Sequence, residues 1–87
     1  MKRKIVVLGG GISGYGSAIL AKKKGFDTFL SDMGPIAERF KLKLEEWGVE
    51  YEECQHTEER ILAANEVIKS PGIPDTAPIV RKLREKG

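Results

Sequence analysis

A glycine pattern at one junction limits this chain more than any other feature. Ile5-Val6-Val7-Leu8 is an unbroken, largely β-branched apolar run, so Lys4–Leu8 reads as a strand buried on both faces. Gly9-x-Gly11-x-x-Gly14 follows at once, and a helical stretch from Ile12 to Lys24 opens within it. The first glycine permits a tight turn, the second lets an anion approach the backbone, and the third lets helix and strand pack closely. Amides at the helix N-terminus then face an anion with no competing side chain. Strand, turn and helix agree within one βαβ unit of about 30 residues, which lifts the pattern above a chance match. The plainer reading is three glycines that only make a tight turn.

The rest of the chain continues the alternation. Gly25 stops the first helix, and Lys22-Lys23-Lys24 in its last turn suit the helix dipole. Phe26–Leu30 is the second strand, and Asp32 to Pro35 a turn. Ile36, Phe40, Leu44 and Trp47 then form one helical stripe that Gly48 ends. Val49–Glu52 reads as a polar strand near a sheet edge. Thr57 is a candidate cap for a short helix with Glu58 and Glu59 at its positive end. Glu66–Lys69 is a fourth strand, and Ser70-Pro71-Gly72-Ile73-Pro74 a rigid loop. Asp75 or Thr76 caps a last helix through Lys86, with Pro78 in its first turn. The order βαβαβαβα predicts right-handed crossovers between parallel strands. The expected fold class is α/β: a Rossmann-like, doubly wound parallel sheet of about four strands with flanking helices. The last helix is followed by Gly87, where a further strand would begin. The chain therefore reads as one domain, 1–87, lacking a final strand and belonging to a longer protein.

Composition excludes several classes. Fifteen Lys+Arg against 13 Asp+Glu leave a net charge of +2, which makes no broad case for binding nucleic acid or membrane. Hydrophobic residues at 40% and charged residues at 32% argue against disorder. One cysteine excludes an intrachain disulfide framework and a cysteine-based zinc cluster. Met1-Lys2-Arg3-Lys4 resembles a signal-peptide start, but the apolar run stops at the glycines, short of the ~7–15 residues a secretory core needs. A cytoplasmic setting is expected.

The candidate ligand residues gather around the glycines. Asp32 stands 18 residues after Gly14, near the spacing at which an acid accepts hydrogen bonds from a ribose; its other reading is a helix cap. Ser13 could donate to a phosphate oxygen. No Lys and Ser/Thr follow Gly14, so the loop is not a Walker A phosphate cradle. His56 reads as a solvated loop residue, Cys54 as a buried or idle thiol rather than a nucleophile, and Phe40 and Trp47 as core. The Ser70–Pro74 loop leaves the fourth strand on the same side as Gly9–Gly14 and Asp32.

Three segments carry a family resemblance: Ile5 to Gly14, Leu30-Ser31-Asp32, and Ala63 through Ser70-Pro71-Gly72-Ile73-Pro74. Together they resemble the N-terminal domain of the UDP-N-acetylmuramoyl-L-alanine:D-glutamate ligase family. The Ser-Pro-Gly-Ile run is the more particular of these signals. The resemblance implies a domain that binds the UDP part of a UDP-sugar substrate. The implied site comprises Gly9, Gly11, Ile12, Ser13, Gly14, Asp32, Met33, Cys54, Ser70, Pro71 and Gly72. Ile12 and Ser13 would lie at the pyrophosphate and Asp32 at the uridine. Met33-Gly34 replaces a Thr-Arg pair common in the family, and Cys54 replaces a common glycine. ATP and Mg²⁺ are implied for the parent ligase, with no cofactor, catalytic residue or metal in this domain. The competing expectations are the NAD-binding domain of a dehydrogenase and a non-catalytic nucleotide sensor.

Overall fold

Apolar side chains on both sides of Ile5–Leu8 leave that strand one place to go, the middle of a sheet covered twice. In the computed structural model, which describes residues 3–70 and 78–86, it lies there. The elements are β1 (Lys4–Leu8), α1 (Ile12–Lys23), β2 (Asp27–Ser31), α2 (Glu38–Glu46), β3 (Glu50–Glu52), α3 (Glu58–Leu62), β4 (Glu66–Lys69) and α4 (Pro78–Lys86). All pairings are parallel and the strand order is β3-β2-β1-β4. Val6 is in register with Phe29 on one side and Val67 on the other.

Alternation along β1 splits the core. Ile5 and Val7 pack with Leu30, Phe40 and Leu44 in the layer of α1 and α2. Val6 and Leu8 pack with Phe29 and Ile61, and with Ile79 and Val80 of α4, in the opposite layer. Val7, Leu8 and Leu30 are fully buried, each contributing about 1.5–3 kcal/mol of transfer free energy. The chain winds from β1 to β2 and β3, then crosses back to place β4 on the far side of β1. That reversal is the switch point of an open α/β sheet, and ligands of such sheets lie beyond its carboxyl edge.

The helix stops follow one device. Gly25 (φ 90°) donates to the Lys22 carbonyl while Phe26 reaches back to Ala21. Gly48 (φ 70°) donates to Glu45 while Val49 reaches back to Leu44. Both are Schellman closures, with glycine in the left-handed conformation they require. This corrects the reading of Trp47. The helix ends at Glu46, so Trp47 sits at the C-cap, 41% exposed, under the Lys23 ammonium at 4.6 Å. Phe40 does enter the core, stacked on Tyr15 with ring centroids 4.4 Å apart. Ile36 is buried ahead of α2 rather than within it. Thr57 occupies the cap position of α3, but its hydroxyl makes no capping bond and instead donates to Glu52. Asp75 and Thr76 lie outside the described residues.

Candidate functional site

The glycine loop is shaped by atoms that are absent. Gly9 has φ 103°, and its amide donates to the Ser31 carbonyl at 2.8 Å, which turns the chain out of β1. A Cβ at Gly14 would stand 1.7 Å from the Gly9 carbonyl oxygen, so only glycine lets α1 pass this close to the turn. A Cβ at Gly11 would meet nothing within 4 Å. The open side of the loop is therefore at Gly11, the residue whose side chain would block an incoming anion. Gly11 is also the N-cap of α1, and no side chain bonds to the helix there. The first amides of α1, from Ile12 and Ser13, are free of intrahelical partners. Both residues are exposed.

Asp32 has a second job that spacing did not reveal. Its Oδ2 accepts the Gly10 amide at 2.7 Å and its Oδ1 accepts the Gly34 amide at 2.9 Å. The second is an Asx turn. The carboxylate thus staples the glycine loop to the segment after β2, and it caps no helix because α2 begins only at Glu38. Each carboxylate oxygen keeps a further lone pair for a ligand hydroxyl or N–H. Gly10 was a free position in the motif, yet a Cβ there would lie 2.8 Å from Ile36 Cγ1. Its constraint comes from the residue packed over it, which no local pattern encodes.

The loop after β3 completes the edge. The Cys54 amide donates to the Gly34 carbonyl at 3.1 Å and the Gln55 amide to the Asp32 carbonyl at 3.3 Å. Cys54 is exposed, not buried, and holds φ 61°, a left-handed conformation that favours glycine. His56 is a correction as well. It is half-buried, with Nδ1 2.6 Å from Ser31 Oγ, and so is not a freely solvated side chain. Ser31 is completely buried and also lies 2.7 Å from Glu52 Oε2. Burial disfavours the charged form of Glu52. The hydroxyl and amide of Thr57 and the Ser31 hydroxyl outweigh it and hold the carboxyl below the usual carboxylate range.

The structure thus gathers Gly9, Gly11, Ile12, Ser13, Gly14, Asp32, Met33 and Cys54 along one edge. Ser70 joins them, its amide donating to the Leu8 carbonyl at 2.9 Å. Met33 and Ile12 are 65% and 72% exposed there. Pro71 and Gly72 lie outside the described residues. Among the described residues, no group of His, Cys, Asp and Glu could hold a metal ion, and no helix is long and apolar enough to cross a membrane.

A four-stranded parallel sheet with helices on both faces and a glycine turn at its central strand defines a Rossmann-like α/β domain. A solved malate dehydrogenase from Cryptosporidium parvum shares that fold, with a TM-score of 0.56 at 22% identity over 85% of this chain and 26% of the other. The family model described as the MurD N-terminal domain matches residues 4–78, and the chain belongs to that family. It is 58% identical over 98% of its length to a UDP-N-acetylmuramoylalanine–D-glutamate ligase of Bacteroides fragilis, of which it covers 19%. It is 56% identical over its whole length to the enzyme of that name from Christiangramia forsetii, covering 20%. The chain thus spans about a fifth of the length of these relatives.

Proposed function

We propose that this domain holds the UDP part of UDP-N-acetylmuramoyl-L-alanine for a cytoplasmic ligase that adds D-glutamate in peptidoglycan synthesis. The diphosphate rests over Gly11, against the leading amides of α1, with the Ser13 hydroxyl as an added donor. Asp32 accepts from the ribose or the base with its remaining lone pairs, while its bonds to Gly10 and Gly34 keep it at the loop. Met33 and Cys54 line the same edge and Ser70 continues it beyond β4, and we include Pro71 and Gly72, which follow Ser70 in sequence, among the residues that recognise the ligand. The parent ligase supplies the ATP- and Mg²⁺-dependent activation of the substrate carboxylate, so this chain alone binds and does not ligate. The observation that carries the reading is the open space at Gly11, beside an acid anchored to the same loop.

The test is an NMR titration of the labelled chain with UDP-N-acetylmuramoyl-L-alanine, UDP and NAD in parallel. Amide shifts at Gly9–Gly14 and Asp32 with both uridine ligands, and none with NAD, are expected. A response to NAD alone, or to none of the three, overturns the proposal for this chain.

A further inference from the structure

The buried hydroxyl of Ser31 ends β2 one residue before Asp32, and it has more neighbours than protons. Glu52 Oε2 lies 2.7 Å from it, the Gln55 carbonyl 3.2 Å, and His56 Nδ1 2.6 Å. Ser31 is 0% exposed, so water replaces none of them. A hydroxyl carries one proton. The Thr57 amide and hydroxyl also donate to Glu52, at 2.7 and 2.6 Å, so its carboxylate is surrounded as an acceptor. If Ser31 gave its proton to His56, its oxygen would face the Glu52 carboxylate lone pair to lone pair. If it gives the proton to Glu52, the short contact to His56 must be made by a proton on Nδ1.

We propose that His56 is held as its Nδ1–H tautomer and acts as a positioning residue for the ligand edge. Its N–H donates to Ser31, Ser31 donates to Glu52, and the relay fixes the 53–57 loop against the strand end that carries Asp32. The ligand half of this inference rests on the uridine-site reading above; the tautomer half does not. The loop's backbone bonds to the same strand end are few, and the Gln55-to-Asp32 bond is long at 3.3 Å. The relay therefore carries a real share of the loop's placement.

The groups around the imidazole are Ser31 from β2, Glu52 from β3, and Gln55 and Thr57 of its own loop. At the start of α3, Glu58 is paired with Lys82, and Arg60 with Glu50. The Glu52 carboxyl sits below the usual range, so it remains the acceptor at the end of the relay.

Long-range ¹⁵N–¹H correlation of the imidazole tests the tautomer without any ligand. Nδ1 in the protonated range and Nε2 in the bare range is expected; the reverse overturns the proposal. Affinity for UDP-N-acetylmuramoyl-L-alanine is then measured for the parent and for variants at His56. His56→Asn puts an amide N–H where Nδ1 stood and should bind within about threefold of the parent, whereas His56→Ala and His56→Gln should lose about tenfold. Asparagine failing as badly as alanine, or alanine binding normally, would each overturn the positioning role. Absence of binding by the parent chain would overturn the uridine-site reading instead, and the ¹⁵N spectrum would still decide the tautomer.

Discussion

Two loops meet at the carboxyl edge of this sheet, and they are built on opposite plans. The loop after β1 is made by leaving side chains out: Gly9 turns, Gly14 lets the helix pass, and Gly11 stays open. The loop after β3 is made by putting side chains in. Glu53 accepts the Ile36 amide at 2.9 Å and the Lys41 ammonium at 3.0 Å. Those two partners, the amide first, hold its carboxyl below the usual range. Glu52 ties Ser31 and Thr57 together in the same way. The first loop is sensitive to added atoms. The second should tolerate changes of volume but depend on which groups carry protons. Asp32 belongs to both, since its side chain holds the glycine loop and its backbone holds the other.

The sharpest way to break this contrast is to add one carbon to the first loop. Gly14→Ala puts a methyl group 1.7 Å from the Gly9 carbonyl, a backbone atom that cannot step aside. A loss of at least about 3 kcal/mol is expected, at the upper end of overpacking costs, lowering the melting midpoint by roughly 12 °C or more. Thermal melts followed by circular dichroism measure it. A variant melting within a few degrees of the parent would show that helix and turn are not held this close.

Gly11→Val separates shape from stability within the same loop. The added Cβ meets nothing within 4 Å, so the fold should lose less than about 1 kcal/mol through a poorer cap. Binding of UDP-N-acetylmuramoyl-L-alanine should fall about tenfold or more, because the valine occupies the approach to the α1 amides. Calorimetric titration beside a thermal melt reads both effects. Unchanged affinity would remove the anion from this turn.

What was legible in the sequence divides along the same line. The glycine loop could be read because its constraints are local: a positive φ, a helix start and a close pass each demand one residue type within six positions. The strands could be read because β1 is apolar on both faces. The β3 loop could not, since Ser31 meets Glu52 and His56 across 21 and 25 residues, a juxtaposition made only by pairing β2 with β3. Asp32 was half legible. Its distance from Gly14 suggested a ligand, but its bonds to Gly10 and Gly34 depend on how the two loops dock. Trp47 misled because its spacing from Leu44 holds only while the helix continues, and Gly48 closes that helix first.

Acid should expose the second loop's plan. A carboxyl whose folded pKa is lowered stabilises the fold fully above its unfolded value and loses that contribution as the pH falls through the folded value. Both Glu52 and Glu53 are lowered, so stability should decline below the ordinary glutamate range near ~4.3. Glu52→Gln should cost about 1 kcal/mol at neutral pH, since its carboxylate is partly solvated. It should also flatten the acid decline. Urea titrations between pH 7 and 3 test this, and an equal acid slope in parent and variant would leave Glu52 without a part in it.

The smallest effect asks whether the second loop would gain from the first loop's device. Cys54 holds φ 61° in a conformation that costs a side-chain-bearing residue about 1–2 kcal/mol. Glycine relieves that strain but loses about 0.5–1 kcal/mol more to chain entropy. Cys54→Gly should therefore raise stability by only about 0.5 kcal/mol. Cys54→Val, β-branched at the same dihedral, should lower it by more than that. The Cys54 amide bond to Gly34 survives both changes, so ligand affinity should follow stability only weakly. If glycine instead changed affinity several-fold with little change in melting, the thiol would be touching the ligand, and the loop would recognise it by contact as well as by placement.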